Sequence, residues 1–71
     1  MKRTPVDSSN LASVGYDATN QTLEIEFQNR SIYQYFEVPE DMYNELMQAD
    51  SHGSYFNGYI RGAFMYRKVS R

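Results

Sequence analysis

This chain offers few residues that could carry out catalysis. His52 is the only histidine, there is no cysteine, and Asp50 and Ser51 cannot form a triad with His52 by adjacency, because such groups converge from separate segments. We interpret His52 as a solvated turn residue. The chain has no glycine-rich phosphate loop and no common metal-binding motif, and only carboxylates are left to bind a metal. The sequence therefore predicts a non-catalytic protein without a metal or a cofactor.

Charge is segregated along the chain. All nine acidic residues lie between residues 4 and 56, where Arg30 is the only cation, although the formal net charge is only −2. Both ends are basic, and the C-terminal end is also aromatic. The basic and aromatic C-terminal strip could neutralise phosphates and stack on bases in weak, salt-dependent RNA binding. Alternatively, the basic ends fold back on the acidic middle of the chain or aid solubility. The candidate nucleic-acid contacts are Arg61, Tyr66, Arg67, Lys68 and Arg71.

Tyr33 and Tyr35 share one face of a predicted strand, because alternate side chains of a strand point the same way. The preceding loop decides which face this is. A two-residue loop at Asn29-Arg30 leaves both tyrosines outside, beside Glu24 and Glu26, as a surface platform. One more loop residue moves them into the core, and the sequence leaves both alternatives open. A platform beside two glutamates would suit a protein or small-ligand partner better than RNA.

Seven tyrosines and four phenylalanines on 71 residues are more than one small core can hide. Tyrosine is favoured at protein interfaces, so the alternative function is a protein-interaction or inhibitor protein, of the kind a mobile element could encode, that is a monomer or a homodimer. We expect a contiguous aromatic patch rimmed by Glu24, Glu26 and Glu37. The candidate patch residues are Tyr33, Tyr35, Tyr55 and Tyr59.

The elements that position these residues form an α+β domain. The sequence predicts a first strand over residues 10–16. The strict alternation of apolar and acidic residues predicts a second strand over residues 23–27, and β-branched and aromatic residues predict a third over residues 32–38. Short turns join them into a three-stranded antiparallel meander. The predicted core is Leu11, Val14, Leu23, Ile25, Phe27, Val38, Tyr43, Leu46, Met47, Phe56 and Ile60.

Two helices are expected to follow the meander and to pack on one of its faces. Pro39 suits a first helical position, and acidic residues after it favour a helix over about residues 39–50. Apolar residues recur with helical spacing over about residues 54–61, which predicts a second, short helix capped by Ser51 or Ser54. Asn57-Gly58 is also a strong hairpin signal, so a hairpin there is the alternative.

The chain length allows one domain. We expect residues 1–8 to be a flexible N-terminus, residues 9–63 the domain, and residues 64–71 a basic C-terminal tail. The absence of cysteine fits a reducing compartment, and no apolar stretch has the length of a membrane span or follows the first cations as in a signal peptide. The expected location is the cytoplasm, without membrane contact.

Residues along most of the chain also form a family pattern. They are Ser9-Asn10, Gly15-Tyr16, Leu23-x-Ile25-x-Phe27, Tyr33-x-Tyr35, Val38-Pro39, Tyr43, Leu46, Ala49, Ser51-x-Gly53-x-Tyr55-Phe56-Asn57 and Ile60. In this order and spacing they resemble the KTSC domain, which is named after the C-terminus of some lysyl-tRNA synthetases and also occurs as a stand-alone bacterial protein. The resemblance implies an RNA partner. Arg30 stands where the family often has glycine, and Phe64-Met65-Tyr66 matches the family's C-terminal aromatics only approximately.

Overall fold

Five antiparallel strands form a single sheet in the computed structural model, which describes residues 1–70. The strands follow one another across the sheet in chain order, as a simple meander. They are β1 (Arg3–Pro5), β2 (Leu11–Asp17), β3 (Thr22–Phe27), β4 (Ile32–Tyr35) and β5 (Tyr66–Lys68). The helices are α1 (Glu40–Gln48) and α2 (His52–Tyr55), and α2 runs directly into a π-helical turn (Phe56–Ile60).

The α+β class is confirmed, but the three predicted strands are only the centre of the sheet. The two additional strands, β1 and β5, lie in the segments that the sequence assigned to the flexible N-terminus and the basic tail. Each has three residues, which is too short for an alternating pattern to be recognised. The predicted third strand also ends early, at Tyr35, and Glu37 takes a left-handed backbone with φ of 60° before the helix begins.

The pairing of β3 with β4 decides between the two alternatives for the tyrosines. Ile25 pairs with Tyr33 and Leu23 pairs with Tyr35, which places the tyrosines on the core face of the sheet, as in the alternative with the longer loop. The loop closes with a hydrogen bond of 2.9 Å from the Phe27 N–H to the Ser31 carbonyl. Both tyrosines therefore share the face of the core residues Leu23 and Ile25. The surface platform beside the glutamates is wrong.

The second helical segment forms in place of the alternative hairpin. The Ser51 hydroxyl caps it by accepting a 3.2 Å hydrogen bond from the Ser54 N–H. After one turn the helix widens, and the Arg61 N–H donates to the Phe56 carbonyl, five residues earlier. This wide turn buries Phe56 and Ile60 and leaves Asn57 exposed.

The core lies between the helices and one face of the sheet. Three predicted core residues, Phe27, Tyr43 and Met47, are only partly buried, while Tyr35 belongs to the core although it was not predicted there. The buried apolar residues are Leu11, Val14, Leu23, Ile25, Tyr35, Val38, Leu46, Phe56 and Ile60.

A polar network holds the other face of the sheet. Glu24 is only 6% exposed, and its carboxylate accepts hydrogen bonds from Arg3 Nη1 and from Gln34 Nε2, the latter at 2.9 Å. The Ser13 hydroxyl accepts from Arg3 Nε at 3.0 Å and donates to Glu26 at 2.7 Å. Burial raises the pKa of Glu24, but the hydrogen bonds from Gln34 and Arg3 outweigh it and hold the pKa below its ordinary value. The network links β1 to β4.

Replacing Glu24 with glutamine should lower stability at neutral pH by about 1–3 kcal/mol, because the charged hydrogen bond to Arg3 is lost. A depressed folded-state pKa stabilises the protein above the pKa of an unfolded glutamate, and that contribution disappears as the pH falls through the folded value. The difference between wild type and Glu24→Gln should therefore shrink below about pH 4. Urea unfolding at a series of pH values measures it. The matched control is Glu37→Gln, at an exposed carboxylate; an equal loss there would contradict the prediction.

The assignment of the core is tested at Ile25, which is fully buried in the central strand. Ile25→Asp places an unpaired charge in the core and should cost several kcal/mol of a total stability of about 5–15 kcal/mol. Thermal unfolding followed by circular dichroism should show a lost or strongly lowered transition. Thr4→Asp, at an exposed position of β1, is the control. An unchanged transition in Ile25→Asp would show that the core is assigned wrongly.

Candidate binding groove

A groove of about 620 Å³ lies between the π-helical turn and the β4–β5 side of the sheet. We call it the aromatic groove. Its walls come from the start of β2, the β3–β4 loop, β4, the π-helical turn and its C-terminal end, and β5. The lining residues are Asn10, Phe27, Gln28, Asn29, Ser31, Tyr33, Tyr35, Phe56, Asn57, Arg61, Gly62 and Tyr66.

Aromatic rings connect the core to the opening of the groove. Buried Phe56 meets the Tyr35 ring edge to face, with 5.3 Å between centroids. The Tyr66 ring lies 5.7 Å from the rings of both Tyr33 and Tyr35 and is itself 59% exposed. Burial, together with Tyr33 and Tyr66, raises the pKa of Tyr35 to about 12, so its hydroxyl stays protonated at neutral pH. The groove thus presents a supported aromatic surface whose outer ring is already accessible.

The electrostatics of the aromatic groove differ from those of the rest of the chain. Within residues 1–70, Arg61 is the only charged residue that lines the groove, although nine acidic residues are present in the sequence. Gln28 is occupied, because its amide donates to the Ser8 and Leu11 carbonyls at 2.9 and 3.1 Å. Asn10 and Asn57 also line the groove, and both are exposed. Among the described residues, the lining of the groove therefore combines a cation and amides with aromatic rings and contains no carboxylate.

The structure divides the predicted basic strip. Arg61 and Tyr66 line the aromatic groove. Lys68 pairs with Tyr33, which puts it on the same face of the sheet, whereas Arg67 pairs with Gln34 and lies on the opposite, polar face. Arg71 lies outside the described residues. The sequence could not separate these residues, since β5 was not predicted.

The predicted tyrosine patch is also divided. Tyr33 and Tyr35 belong to the aromatic groove, while Tyr55 and Tyr59 form a second pair on the helical layer with 4.7 Å between ring centroids. The Tyr55 hydroxyl donates to Glu45 at 2.6 Å, and burial and this carboxylate raise the pKa of Tyr55 to about 12. Within residues 1–70 no ring contact joins the two pairs. The expected rim of Glu24 and Glu26 lies on the opposite face of the sheet.

His52 has a structural role. Its Nδ1 lies 2.8 Å from the Leu46 carbonyl and donates to it, so the ring caps the end of α1 and is partly buried. The interpretation of His52 as a solvated residue was wrong. Within residues 1–70, there is no group of three or more His, Cys, Asp or Glu side chains that could hold a metal ion. No helix in this range is long and apolar enough to cross a bilayer.

Comparison with known proteins identifies the family. The model of the KTSC domain matches residues 7–64. The chain belongs to the KTSC domain family. A KTSC domain protein from Yersinia pestis, known from a crystal structure, is 45% identical in sequence to this chain. The two structures superpose with a TM-score of 0.95 over 97% of each chain. The matched range includes Asn10, Asn57 and Arg61 and ends before Tyr66.

KTSC relatives occur in two sizes. A lysine–tRNA ligase of Nostoc sp. strain PCC 7120 is 42% identical over 64 residues, which are 90% of this chain but only 11% of that protein. An uncharacterized protein of Stutzerimonas stutzeri is 46% identical over 57 residues, or 80% of each chain. The KTSC domain is thus found both as a small part of a lysine–tRNA ligase and in proteins of about its own length.

Two groove residues, Asn10 and Asn57, were not predicted as site residues. They do belong to the residues that carry the family resemblance, and that was the available signal. Asn57 was placed in the predicted helix, with a hairpin turn as the alternative, and neither assigned it a role in a site, because the π-helical turn has no recognisable sequence pattern.

The exposure of the two groove tyrosines predicts different effects on stability. Tyr35→Ala removes a ring that is 5% exposed and should cost about 3–5 kcal/mol. Tyr66→Ala removes a ring that is 59% exposed and should cost less than about 1 kcal/mol. Urea unfolding compares both with wild type. Equal losses would show that Tyr66 is needed for the fold and not only for the groove surface.

Proposed function

We propose that this KTSC domain is a non-catalytic module that binds single-stranded RNA in the aromatic groove. The observation that supports this most strongly is the composition of the groove wall, which among the described residues contains aromatic rings and Arg61 but no carboxylate, in a chain with an acidic excess. Bases stack on aromatic rings, and arginine bonds phosphate with a fixed fork of donors. The groove has both groups within one surface.

The geometry suggests how an RNA segment would bind. One base would stack on the exposed ring of Tyr66. The Tyr33 and Tyr35 rings, which pack against Tyr66, would fix the position of that ring. Arg61 would meet the adjacent phosphate, and Lys68, on the same face of the sheet, would extend the positive surface. A paired base hides both its faces in the duplex stack, so the groove suits unpaired nucleotides.

Charge on the rest of the domain makes this binding weak and salt-dependent. The net charge of −2 opposes a polyanion at long range, and few cations contact phosphate. The glutamates that would repel RNA from a tyrosine platform are not beside the groove; Glu24 and Glu26 are hydrogen-bonded on the other face of the sheet. The similarity to part of a lysine–tRNA ligase supports an RNA partner.

Titration of a fluorescently labelled single-stranded RNA, followed by anisotropy at low and physiological salt, tests the proposal. Wild type should bind at low salt and weaken as salt increases. Arg61→Ala and Tyr66→Ala should each reduce the affinity about tenfold, since a stacked base or a charged contact contributes about 1–3 kcal/mol.

Two matched controls separate the groove from general charge and aromatic content. Arg67→Ala removes the same charge from the opposite face of the sheet, and Tyr59→Ala removes a tyrosine of similar exposure outside the groove. Both should change the affinity by less than about twofold. Equal effects of Arg61→Ala and Arg67→Ala would refute binding in the groove. No binding at low salt would refute the RNA function and favour a protein partner at Tyr55 and Tyr59.

A further inference from the structure

A second cleft joins the aromatic groove. It has a volume of about 610 Å³ and shares Asn10, Asn57 and Arg61 with the groove, so the two depressions lie side by side. The rest of its lining is almost entirely polar: Asp7, Ser8, Ser9, Asp50 and residues 51–54. We call it the polar cleft. Its chemistry differs from that of the groove, because it has carboxylates and no aromatic ring.

Several polar groups of this cleft are already engaged. The Ser8 hydroxyl accepts from the Asn10 and Leu11 N–H groups at 3.2 and 3.1 Å. The Ser51 hydroxyl is the helix cap, and His52 is bonded to α1. These groups stabilise the shape of the cleft, because their hydrogen bonds are made within the protein.

The side-chain carboxylates of Asp7 and Asp50 are different. Both residues are exposed and line the polar cleft, and neither carboxylate has a hydrogen bond or an ion pair within residues 1–70. An ionised carboxylate only accepts hydrogen bonds and repels phosphate. The cleft therefore favours a part of the ligand that donates hydrogen bonds and carries no negative charge.

In RNA, that part of the ligand is the sugar. Arg61 lines both depressions, so a phosphate bound there would lie between the aromatic groove on one side and the aspartate-lined polar cleft on the other. A phosphate links the riboses of two successive nucleotides, so the ribose on the polar-cleft side belongs to the neighbouring nucleotide, and its 2′-hydroxyl is a donor that DNA lacks. Carboxylates recognise ribose hydroxyls in the same way in dinucleotide-binding proteins.

We propose that Asp7 and Asp50 accept hydrogen bonds from the 2′-hydroxyls of riboses in the polar cleft, which belong to nucleotides adjoining the one in the aromatic groove, so that the domain distinguishes RNA from DNA. This inference rests on the proposed RNA-binding function and adds the feature of the ligand that is recognised. The groove alone would bind both nucleic acids, because stacking and the phosphate contact do not involve the 2′-hydroxyl.

The test compares two labelled oligonucleotides of one base sequence, one of ribonucleotides and one of deoxyribonucleotides with deoxyuridine in place of uridine. Only the 2′-hydroxyl then differs. All titrations contain EDTA, so that no divalent cation bridges carboxylate and phosphate. The measured quantity is the ratio of the two affinities, which for wild type should be about tenfold in favour of RNA.

The ratio separates hydrogen bonding from charge. Asp7→Ala with Asp50→Ala removes two negative charges, so both affinities should rise, but the ratio should fall to about one. Each aspartate is also replaced alone, and each single variant should lower the ratio part of the way. The control Glu37→Gln removes a charge outside both depressions, so it should leave the ratio at the wild-type value.

Each outcome decides the proposal. Equal wild-type affinities for both oligonucleotides, or an unchanged ratio in the double variant, would overturn recognition of the ribose and leave binding in the groove intact. Failure of wild type to bind either oligonucleotide would refute the proposed function and this inference with it.

Discussion

The register between β3 and β4 is the constraint on which the groove depends. It pairs Ile25 with Tyr33, so that both tyrosines face the helical layer and Glu24 faces away from it. A shift of one residue would exchange the faces, because side chains alternate along a strand. Gln34 would then enter the core, and the aromatic floor of the groove would be lost. The loop before β4 maintains the register with Arg30 in a left-handed conformation at φ of 75°, which a residue other than glycine rarely adopts.

This register also places the central glutamates and the aromatic groove on opposite faces of the sheet. Glu24 and Glu26 lie beside Arg3 and accept hydrogen bonds on one face, while the aromatic rings and Arg61 line the groove on the other side. An acidic chain can therefore carry a surface on which the described residues include a cation and no carboxylate, without a large excess of lysine and arginine. The formal net charge does not reveal such an arrangement, since it contains no information on faces.

Long, regular patterns in the sequence were sufficient to predict the centre of the fold. The alternation around Ile25 located β3 to within one residue, and Pro39 with the acidic residues after it located the start of α1. The aromatic groove was harder to predict, because the features that form it leave little local pattern in the sequence. Its outer ring, Tyr66, lies in a three-residue strand, and Asn57 is positioned by a π-helical turn. Long-range pairing and packing, rather than local preference, fix both.

The two outer strands have a consequence for association between molecules. Unpaired edges of sheets are templates for further strands, and proteins restrict them by keeping them short and by placing charge or proline there. Here β1 contains Arg3 and Pro5, β5 contains Arg67 and Lys68, and each strand has only three residues. Two copies meeting edge to edge at β5 would bring like charges together along a very short ladder. The basic C-terminal strand therefore protects this open sheet against aggregation, whether or not a ligand occupies the groove beside it.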